Sequence, residues 1–419
     1  MTVAQIDLGK CTGCYACMNS CPKDAISMVE DERGFVHPLI NEVSCINCGI
    51  CFKTCTINKE VICDNEFKVK AYSLSARPEI CLRSTSGGVF SVLAEAILSA
   101  GGIVFGAKSN GLEDVWHEET DNIEGLDALR RSKYFQSNIG YSFRKVKQYL
   151  LEKRLILFVG TPCQVAGLKN FLKKDYKNLY TCDLVCHGVP SKAIFRSFKK
   201  ELEEKKQAKL LRYYRNSLQW APAIFTSEYA RCLNGYLSYS EEQSSTNVNT
   251  NNNFEIWSET EPFDKDLFNQ LFHSNLIQRH SCQHCRFCKI PRVGEITLGD
   301  DWSYYWKEKD NPNKLKLGRS YILVNNPKGD LLLNKTKGDF ADISKALKIG
   351  GPHISVPPTK NPLSEQFFKD AKKYRILDLI TEYKEQKSLR LRFIKFKQNP
   401  ILSIRSILRK TYDRLITSL

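Results

Sequence analysis

Apolar segments of two lengths alternate through the middle of the chain. Short apolar runs typical of strands occupy residues 70–75, 102–106, 155–159 and 180–185. Longer segments with helical apolar spacing lie between them at residues 89–99 and 165–173. Since strands that alternate with helices are typical of parallel-sheet proteins, this pattern predicts an α/β domain.

The two ends of the chain show different patterns. Near the start, apolar residues 25–29 and 35–39 flank a polar segment at 30–34, which predicts a short hairpin. Beyond Pro362 the pattern becomes helical, and Asn399-Pro400 is a favourable start for a final helix. A chain of 419 residues is long for one domain. We therefore predict three domains, with bounds at 1–66, 67–360 and 361–419.

Cysteine usage changes this picture most. The chain has 17 cysteines, ten of them within the first 81 residues, and no signal-like apolar run precedes them. This combination indicates metal binding in a reducing compartment rather than disulfides. The longest apolar stretch, 89–107, is interrupted by Glu95 and Gly101-Gly102, so we expect a soluble, cytoplasmic protein.

Two cysteine runs of the same form lie close together: Cys11-x2-Cys14-x2-Cys17-x3-Cys21-Pro22 and Cys45-x2-Cys48-x2-Cys51-x3-Cys55. Thiolate triplets of this spacing are typical of [4Fe–4S] clusters, and in two-cluster proteins the fourth cysteine of each run binds the other cluster. The pattern predicts one cluster on Cys11, Cys14, Cys17 and Cys55 and another on Cys45, Cys48, Cys51 and Cys21. The segment resembles the bacterial dicluster ferredoxin. A pair of structural zinc sites is the alternative, but it would leave the middle cysteine of each triplet without a role.

A third triplet, Cys282-x2-Cys285-x2-Cys288, has the spacing of another [4Fe–4S] site but no fourth cysteine nearby. Cys163 or Cys186, each expected in a loop after a strand, are the candidates for the fourth ligand. A zinc site that combines these thiols with His280 or His284 is the alternative. The remaining cysteines, Cys63, Cys81, Cys182 and Cys232, are expected to be ordinary apolar residues.

One polar loop, residues 84–88, joins the first predicted strand to the first long helix. Backbone N–H groups at such a position bind anions, so the loop is a candidate for a flavin phosphate site. A glycine turn that merely caps the helix is the alternative, and for these residues taken alone it is favoured. The chain contains neither a G-x-G-x-x-G nor a P-loop motif.

Several motifs occur together in one order: the cysteine runs, Ser-Thr-Ser-Gly-Gly at 84–88, Arg-Ser-Lys-Tyr-Phe-Gln at 131–136, Gly-Thr-Pro-Cys-Gln at 160–164, Val-Cys-His-Gly-Val-Pro at 185–190 and the third triplet with Gly299-Asp300. In this order they resemble the beta-subunit family of coenzyme F-420 hydrogenases and dehydrogenases, over roughly residues 5–355. The resemblance implies an FAD-binding α/β domain fed by iron–sulfur clusters, with the flavin at Ser86, Gly87, Gly88, Lys133 and Thr161. It also implies a cluster at the third triplet. It does not imply that coenzyme F-420 is the substrate, because the family includes ferredoxin-dependent reductases.

The fold expected is thus an α+β ferredoxin-like module, an α/β flavin-binding domain and a helical tail. The fused N-terminal module and a polar insert at 244–253 favour a self-contained reductase over a hydrogenase subunit. We expect electrons to pass from a ferredoxin-like donor through the clusters to FAD and on to a small molecule. A non-enzymatic carrier or subunit that feeds a partner is the alternative, and the sequence names no catalytic acid, base or nucleophile.

The formal charge of +16 concentrates at the C-terminal end, where residues 369–419 hold fourteen Lys and Arg against five Asp and Glu. The final helix has an apolar face and a basic one, so it could contact an anionic membrane surface or a partner. Packing of its apolar face on the protein's own body is the commoner arrangement and is favoured. No nucleic-acid-binding motif accompanies the charge.

Overall fold

The computed structural model describes residues 1–61, 63, 65–215, 224–232, 254–262, 265–308, 318–346 and 349–386. The polar insert at 244–253 and the final helix at 399–419 lie outside these residues. The membrane or partner contact suggested for that helix therefore stays a prediction. The chain divides into two compact units, Met1–Ser364 and Glu365–Leu419. The domain bounds proposed at 66 and 360 also stay predictions.

The described secondary structure alternates as the sequence pattern suggests. The strands are β1 (Ile26–Glu30), β2 (Val36–Ile40), β3 (Lys70–Ala76), β4 (Ile103–Ser109), β5 (Val115–Thr120), β6 (Ile156–Gly160), β7 (Leu179–Leu184), β8 (Lys209–Arg215), β9 (Ile224–Cys232), β10 (Phe254–Pro262), β11 (Ile296–Asp300), β12 (Ser320–Val324) and β13 (Phe340–Lys345). The α-helices are α1 (Ala16–Ser20), α2 (Ile50–Thr54), α3 (Pro78–Leu82), α4 (Val89–Ser99), α5 (Ile123–Leu129), α6 (Ser142–Leu151), α7 (Pro162–Leu172), α8 (Lys192–Lys206), α9 (Leu267–His273), α10 (Trp302–Glu308), α11 (Pro327–Thr336), α12 (Ser364–Asp370) and α13 (Ile376–Gln386).

An eight-stranded mixed sheet forms the body of the larger unit, in the order β13-β3-β12-β11-β7-β6-β4-β5. The four neighbouring strands β11, β7, β6 and β4 run parallel, and the other strands pair antiparallel with their neighbours. Strand β6 contains a continuous apolar run at 156–159, as expected for a strand covered on both faces, whereas β7 and β11 also contain polar residues. The sheet confirms the coarse prediction of an α/β body.

Helices cover both faces of this sheet because successive strand residues point to opposite sides. Val104 and Leu157 face a core shared with α4, α5 and α11. Phe105 and Phe158 face a second core shared with α1, α6 and α7. Helix α7 begins at Pro162, three residues before the predicted start, because proline is well tolerated in the first helical turn.

The N-terminal segment packs on the face covered by α6 and α7. Its strands β1 and β2 form the predicted antiparallel hairpin, with Met28 opposite Pro38. The Arg144 guanidinium of α6 donates to the backbone carbonyls of Asn19 and Cys21, at 2.9 and 2.8 Å. These bonds, which join residues more than 120 positions apart, hold the cysteine-rich segment against the α/β body.

A separate antiparallel sheet, β10-β9-β8, has no counterpart among the predicted elements. In the smaller unit, Phe367 of α12 packs edge-on against Tyr383 of α13, with ring centroids 5.1 Å apart. No described helix combines the length and apolar character that a membrane-spanning segment requires.

Candidate functional site: three cysteine groups and a cavity

Four cysteines from both N-terminal runs meet in the interior, and we call them the inner group: Cys11, Cys14, Cys17 and Cys55. Burial raises the pKa of Cys17 well above its ordinary value, and the thiols of the other three cysteines raise it further. Burial likewise raises the pKa of Cys55 to about 11, with contributions from Cys14 and Cys11. These interactions show that the four thiols are neighbours in the fold. Helix α2 brings Cys55 of the second run to the first three, as the predicted assignment requires.

Cys11 is the exception within the inner group because its surroundings favour the thiolate. Burial raises its pKa, but a hydrogen bond with His37, the charge of Arg279 and the Gly13 amide together hold it below its usual range. The Gly13 N–H donates to the Cys11 sulfur at 3.4 Å. A soft metal centre prefers a thiolate ligand stabilised in this way.

The outer group consists of Cys21, Cys45, Cys48 and Cys51, and all four line one small cavity. This is the second predicted ligand set. The Ala25 N–H donates to the Cys21 sulfur at 3.3 Å. Whereas Cys51 is buried, Cys48 is exposed, so this group reaches the protein surface.

The donor sets of both groups fit [4Fe–4S] clusters, since each offers four thiol sulfurs and at least one N–H donor to sulfur. In the described part of the chain, no three His, Cys, Asp or Glu side chains lie close enough together to hold a single metal ion. A four-iron cube separates its cysteine sulfurs more widely than one ion does.

The third group combines the downstream triplet with both candidate fourth ligands. Cys186 interacts electrostatically with Cys285 and Cys288. Burial raises the pKa of Cys282 to about 12, and the neighbouring Cys186 contributes to this increase. Cys163 interacts with Cys282 and also with Cys14 of the inner group. The structure thus brings all five predicted cysteines together, and it places Cys163 between two groups.

The histidines of the zinc alternative lie at the edge of this group. His280 is exposed, and its Nδ1 lies 3.1 Å from the Gly9 carbonyl oxygen. His284 is also exposed, with its ring centroid 5.5 Å from that of His280.

A cavity opens at the carboxyl ends of the parallel strands, where α/β proteins commonly bind ligands. Its walls include Ala107 of β4, residues 159–161 at the end of β6 and residues 184–189 at the end of β7 and beyond it. The cavity has a volume of about 320 Å³. Four residues predicted to bind flavin line it: Ser86, Gly88, Lys133 and Thr161.

Gly87, the fifth predicted flavin residue, is absent from the cavity wall and faces the sheet instead. A Cβ atom at Gly87 would lie 2.3 Å from the Leu74 carbonyl oxygen and 2.4 Å from the Ser320 nitrogen. Close packing against β3 and β12 therefore requires glycine at this position.

The polar loop before α4 leaves the helix N-terminus open to the cavity. Gly88 is the N-cap residue, with φ of 76° and no side chain that caps the helix. Ser84 and Ser86 instead donate to the carbonyls of Ile80 and Arg319, both away from the helix end. Gly88 therefore caps the helix through a glycine turn, as the alternative interpretation of this loop states. The first N–H groups of α4 stay without a side-chain acceptor, and such groups suit an anion.

Lys133 and Thr161 line the same cavity from two other loops. Burial lowers the pKa of Lys133 to about 7, and the nearby Arg131 adds to this effect. Its amine donates to the backbone carbonyls of Ala128 and Arg130. Thr161 Oγ1 lies 3.2 Å from the sulfur of Cys163, so the cavity wall meets the third cysteine group here.

The cavity residues that escaped the sequence analysis include His117, His187 and Arg215. His117 is held by Ser137 Oγ at 2.8 Å and the Val159 carbonyl at 3.0 Å, and burial lowers its pKa to about 4. His187 lies next to Cys186, and only the motif at 185–190 could have pointed to it. No sequence signal marks His117 or Arg215, because each stands on a strand without a recognisable motif.

Comparison with known proteins gives two family matches. Residues 153–345 match the family profile for the C terminus of the beta subunit of coenzyme F420 hydrogenase/dehydrogenase, and residues 10–59 match a 4Fe-4S dicluster domain. These matches confirm the resemblance inferred from the motifs. No curated protein gives a significant match.

Among solved structures, a chain of the F420-reducing [NiFe] hydrogenase complex from Methanosarcina barkeri is similar at 14% identity, with a TM-score of 0.41. The similarity covers 78% of the present chain and 95% of that chain. A score of this size supports no further inference.

Proposed function

We propose that this chain is an iron–sulfur flavoprotein oxidoreductase. The proposal starts from the match of residues 153–345 to the C terminus of the coenzyme F420 hydrogenase/dehydrogenase beta subunit and of residues 10–59 to a 4Fe-4S dicluster domain. Electrons would enter at the outer cysteine group and reach a substrate bound in the cavity. An FAD in that cavity would supply the exchange between one-electron carriers and a two-electron reaction.

One observation carries this proposal: the three cysteine groups form an unbroken series between the surface and the cavity. The outer group reaches the surface at Cys48. Cys17 of the inner group packs in one apolar cluster with Cys21 and Cys51 of the outer group. Cys163 interacts with Cys14 of the inner group, and Cys186 lines the cavity itself.

We assign Cys186 as the fourth ligand of a third [4Fe–4S] cluster. It interacts with all three cysteines of the triplet, and Cys163 interacts with Cys282 and with Cys14 of the inner group. Cys163 then lies between the inner and third clusters as a free thiol. The fit of the flavin rests on Ser86, Gly88, Lys133 and Thr161, which surround the open end of α4 and the cavity beside it.

The test is the quantity of iron, sulfide, zinc and flavin in anaerobically purified protein. We expect about twelve irons and one FAD per chain. About eight irons with zinc and no flavin would overturn both the third cluster and the reductase. Cys186→Ser should lower the iron to about eight per chain, while the matched Cys163→Ser should leave it near twelve.

A second function, electron delivery to a partner without turnover of a substrate, is favoured by the surface at the outer group. Val43 and Ile46 are 98% and 58% exposed in the loop that carries Cys45, and Met1 beside Gly49 is 78% exposed. Exposed apolar side chains around a cluster suit a docked redox partner, either a ferredoxin or another polypeptide of a complex. Turnover of a small molecule by the isolated chain with an artificial donor would exclude the pure carrier.

A further inference from the structure

Arg215, at the end of β8, is a buried cation in the cavity wall. Its side chain is 4% exposed, and its Nη1 donates to Asp300 Oδ2 at 2.6 Å. Burial lowers the pKa of Arg215, but Asp300 and Tyr134 raise it by more, so the guanidinium stays charged. The ion pair joins the small antiparallel sheet to the end of β11.

Among the described residues, the other edge of the same guanidinium has no acidic partner, and the neutral Tyr134 is its neighbour. Neither Nε nor Nη2 of Arg215 finds a hydrogen-bond acceptor among the residues that the structure describes. Because these two N–H groups point in parallel from one edge of a planar fork, they match the two oxygens of a carboxylate. An unmet pair of charged donors in a buried position is costly unless a ligand completes it.

This free edge lies near the end of the cavity where the third cysteine group stands. Asp300 follows Gly299, and a Cβ at Gly299 would lie 2.6 Å from Val185 Cγ2. Val185 directly precedes Cys186. Arg215 is paired with Asp300, and the neighbouring Gly299 packs against Val185. An anion held by Arg215 would therefore lie near Cys186, the proposed point of electron delivery.

We propose that Arg215 is the substrate-binding residue of this cavity and that the substrate carries a carboxylate. This inference rests on the proposed function and names the substrate class of the same site. Two parallel donors suit a carboxylate monoanion, while Asp300 beside them disfavours the second charge of a phosphate. The flavin phosphate has another place, at the open N-terminus of α4.

Benzoate, a simple carboxylate with an apolar ring, is a suitable probe for the holoprotein. Anaerobic isothermal titration should show one saturable site, and the neutral analogue benzamide should not compete for it. Arg215→Gln should weaken benzoate binding by about tenfold or more, and Arg215→Lys should weaken it less, because lysine keeps the charge but loses the fork. Asp300→Asn should tighten binding, because it removes the neighbouring negative charge. This gain keeps the test valid if Arg215→Gln fails to fold.

Arg212→Gln is the matched control, since Arg212 stands on the same strand, is half exposed, and pairs with Glu228 at 3.7 Å outside the cavity wall. It should leave benzoate binding unchanged. Wild-type protein without saturable benzoate binding, or with tighter binding of inorganic phosphate than of benzoate, would overturn the proposal. Loss of flavin in Arg215→Gln at normal iron content would assign Arg215 to the flavin and also overturn it. If the wild-type protein holds no flavin, the proposed function fails, but the benzoate titration still decides the carboxylate site.

Discussion

The pair Asp183 and Arg292 offers a sharp test of how the sheet holds the third cysteine group. Both side chains are fully buried, with Arg292 Nε 3.5 Å from Asp183 Oδ1. Arg292 also donates to the carbonyls of Leu184 and Ile354, at 2.9 and 3.0 Å. The guanidinium thus ties the end of β7, two residues before Cys186, to a loop from the far end of the unit.

The substitution Arg292→Met removes this charge while filling much of its volume. At 3.5 Å the attraction between two unit charges is about 5 kcal/mol if the effective dielectric constant is about 20. Within the described residues, Asp183 Oδ1 accepts no hydrogen bond, and Oδ2 accepts one from the Gly294 N–H at 3.1 Å. We therefore expect a loss of about 3–5 kcal/mol in the free energy of unfolding, the usual cost of one unpaired buried charge.

The measurement is urea-induced unfolding of the anaerobic protein, followed by circular dichroism, with iron quantified in parallel. The double variant Asp183→Asn, Arg292→Met should recover a large part of the loss, because no charge is then left unpaired. Asp175→Asn is the control, since its pair with Lys328 is exposed on the aspartate side and should change stability by less than about 0.5 kcal/mol. A loss below about 1 kcal/mol for Arg292→Met, or a double variant as unstable as the sum of the two single variants, would refute the reasoning.

Three further predictions concern the cavity and the outer cluster. Gly88→Ala should lower the free energy of unfolding by about 1–3 kcal/mol and release flavin, because φ is 76° and the new Cβ would lie 2.9 Å from atoms of Ala76 and Ile80. The control is Gly101→Ala, at φ 69° with open space around it, which should cost only the backbone strain and keep the flavin. Binding of FAD to flavin-free protein should weaken as pH rises through about 7, because Lys133 with its lowered pKa then loses the charge that attracts phosphate. Fluorescence quenching measures this binding, and a Lys133→Met protein that keeps the full pH dependence would contradict the prediction. Replacing Val43 and Ile46 by glutamate should slow reduction of the clusters by a protein donor in stopped-flow assays, without changing the iron content. Equal slowing with a small chemical reductant would mean that the substitutions altered the cluster and not the docking of the donor.

The sequence alone determined the features that depend on local spacing. The grouping of the N-terminal cysteines into crossed sets follows from the two runs, and the structure brings together both sets that were predicted. The strands β1 to β4, β6 and β7 and the long helix α4 follow from apolar runs and spacing, since a short apolar run such as 156–159 is typical of a buried strand. The family resemblance followed from motif order, and the profile matches confirm it.

Tertiary structure alone decided which distant residues share a site. Cys186 and the triplet at 282–288 lie about a hundred positions apart in the sequence. Cys163 and Cys186 are equal candidates there, and the fold brings both of them near the triplet. Arg215 carries no motif, and its importance comes from burial beside Asp300 with one edge of its guanidinium unmet. Gly87 is the opposite case. It lies inside the 84–88 loop predicted to bind flavin, but the fold packs it closely against β3. The physical reason is common to all three: spacing along the chain fixes local geometry, but burial and long-range neighbours arise only when separate strands are joined in one sheet.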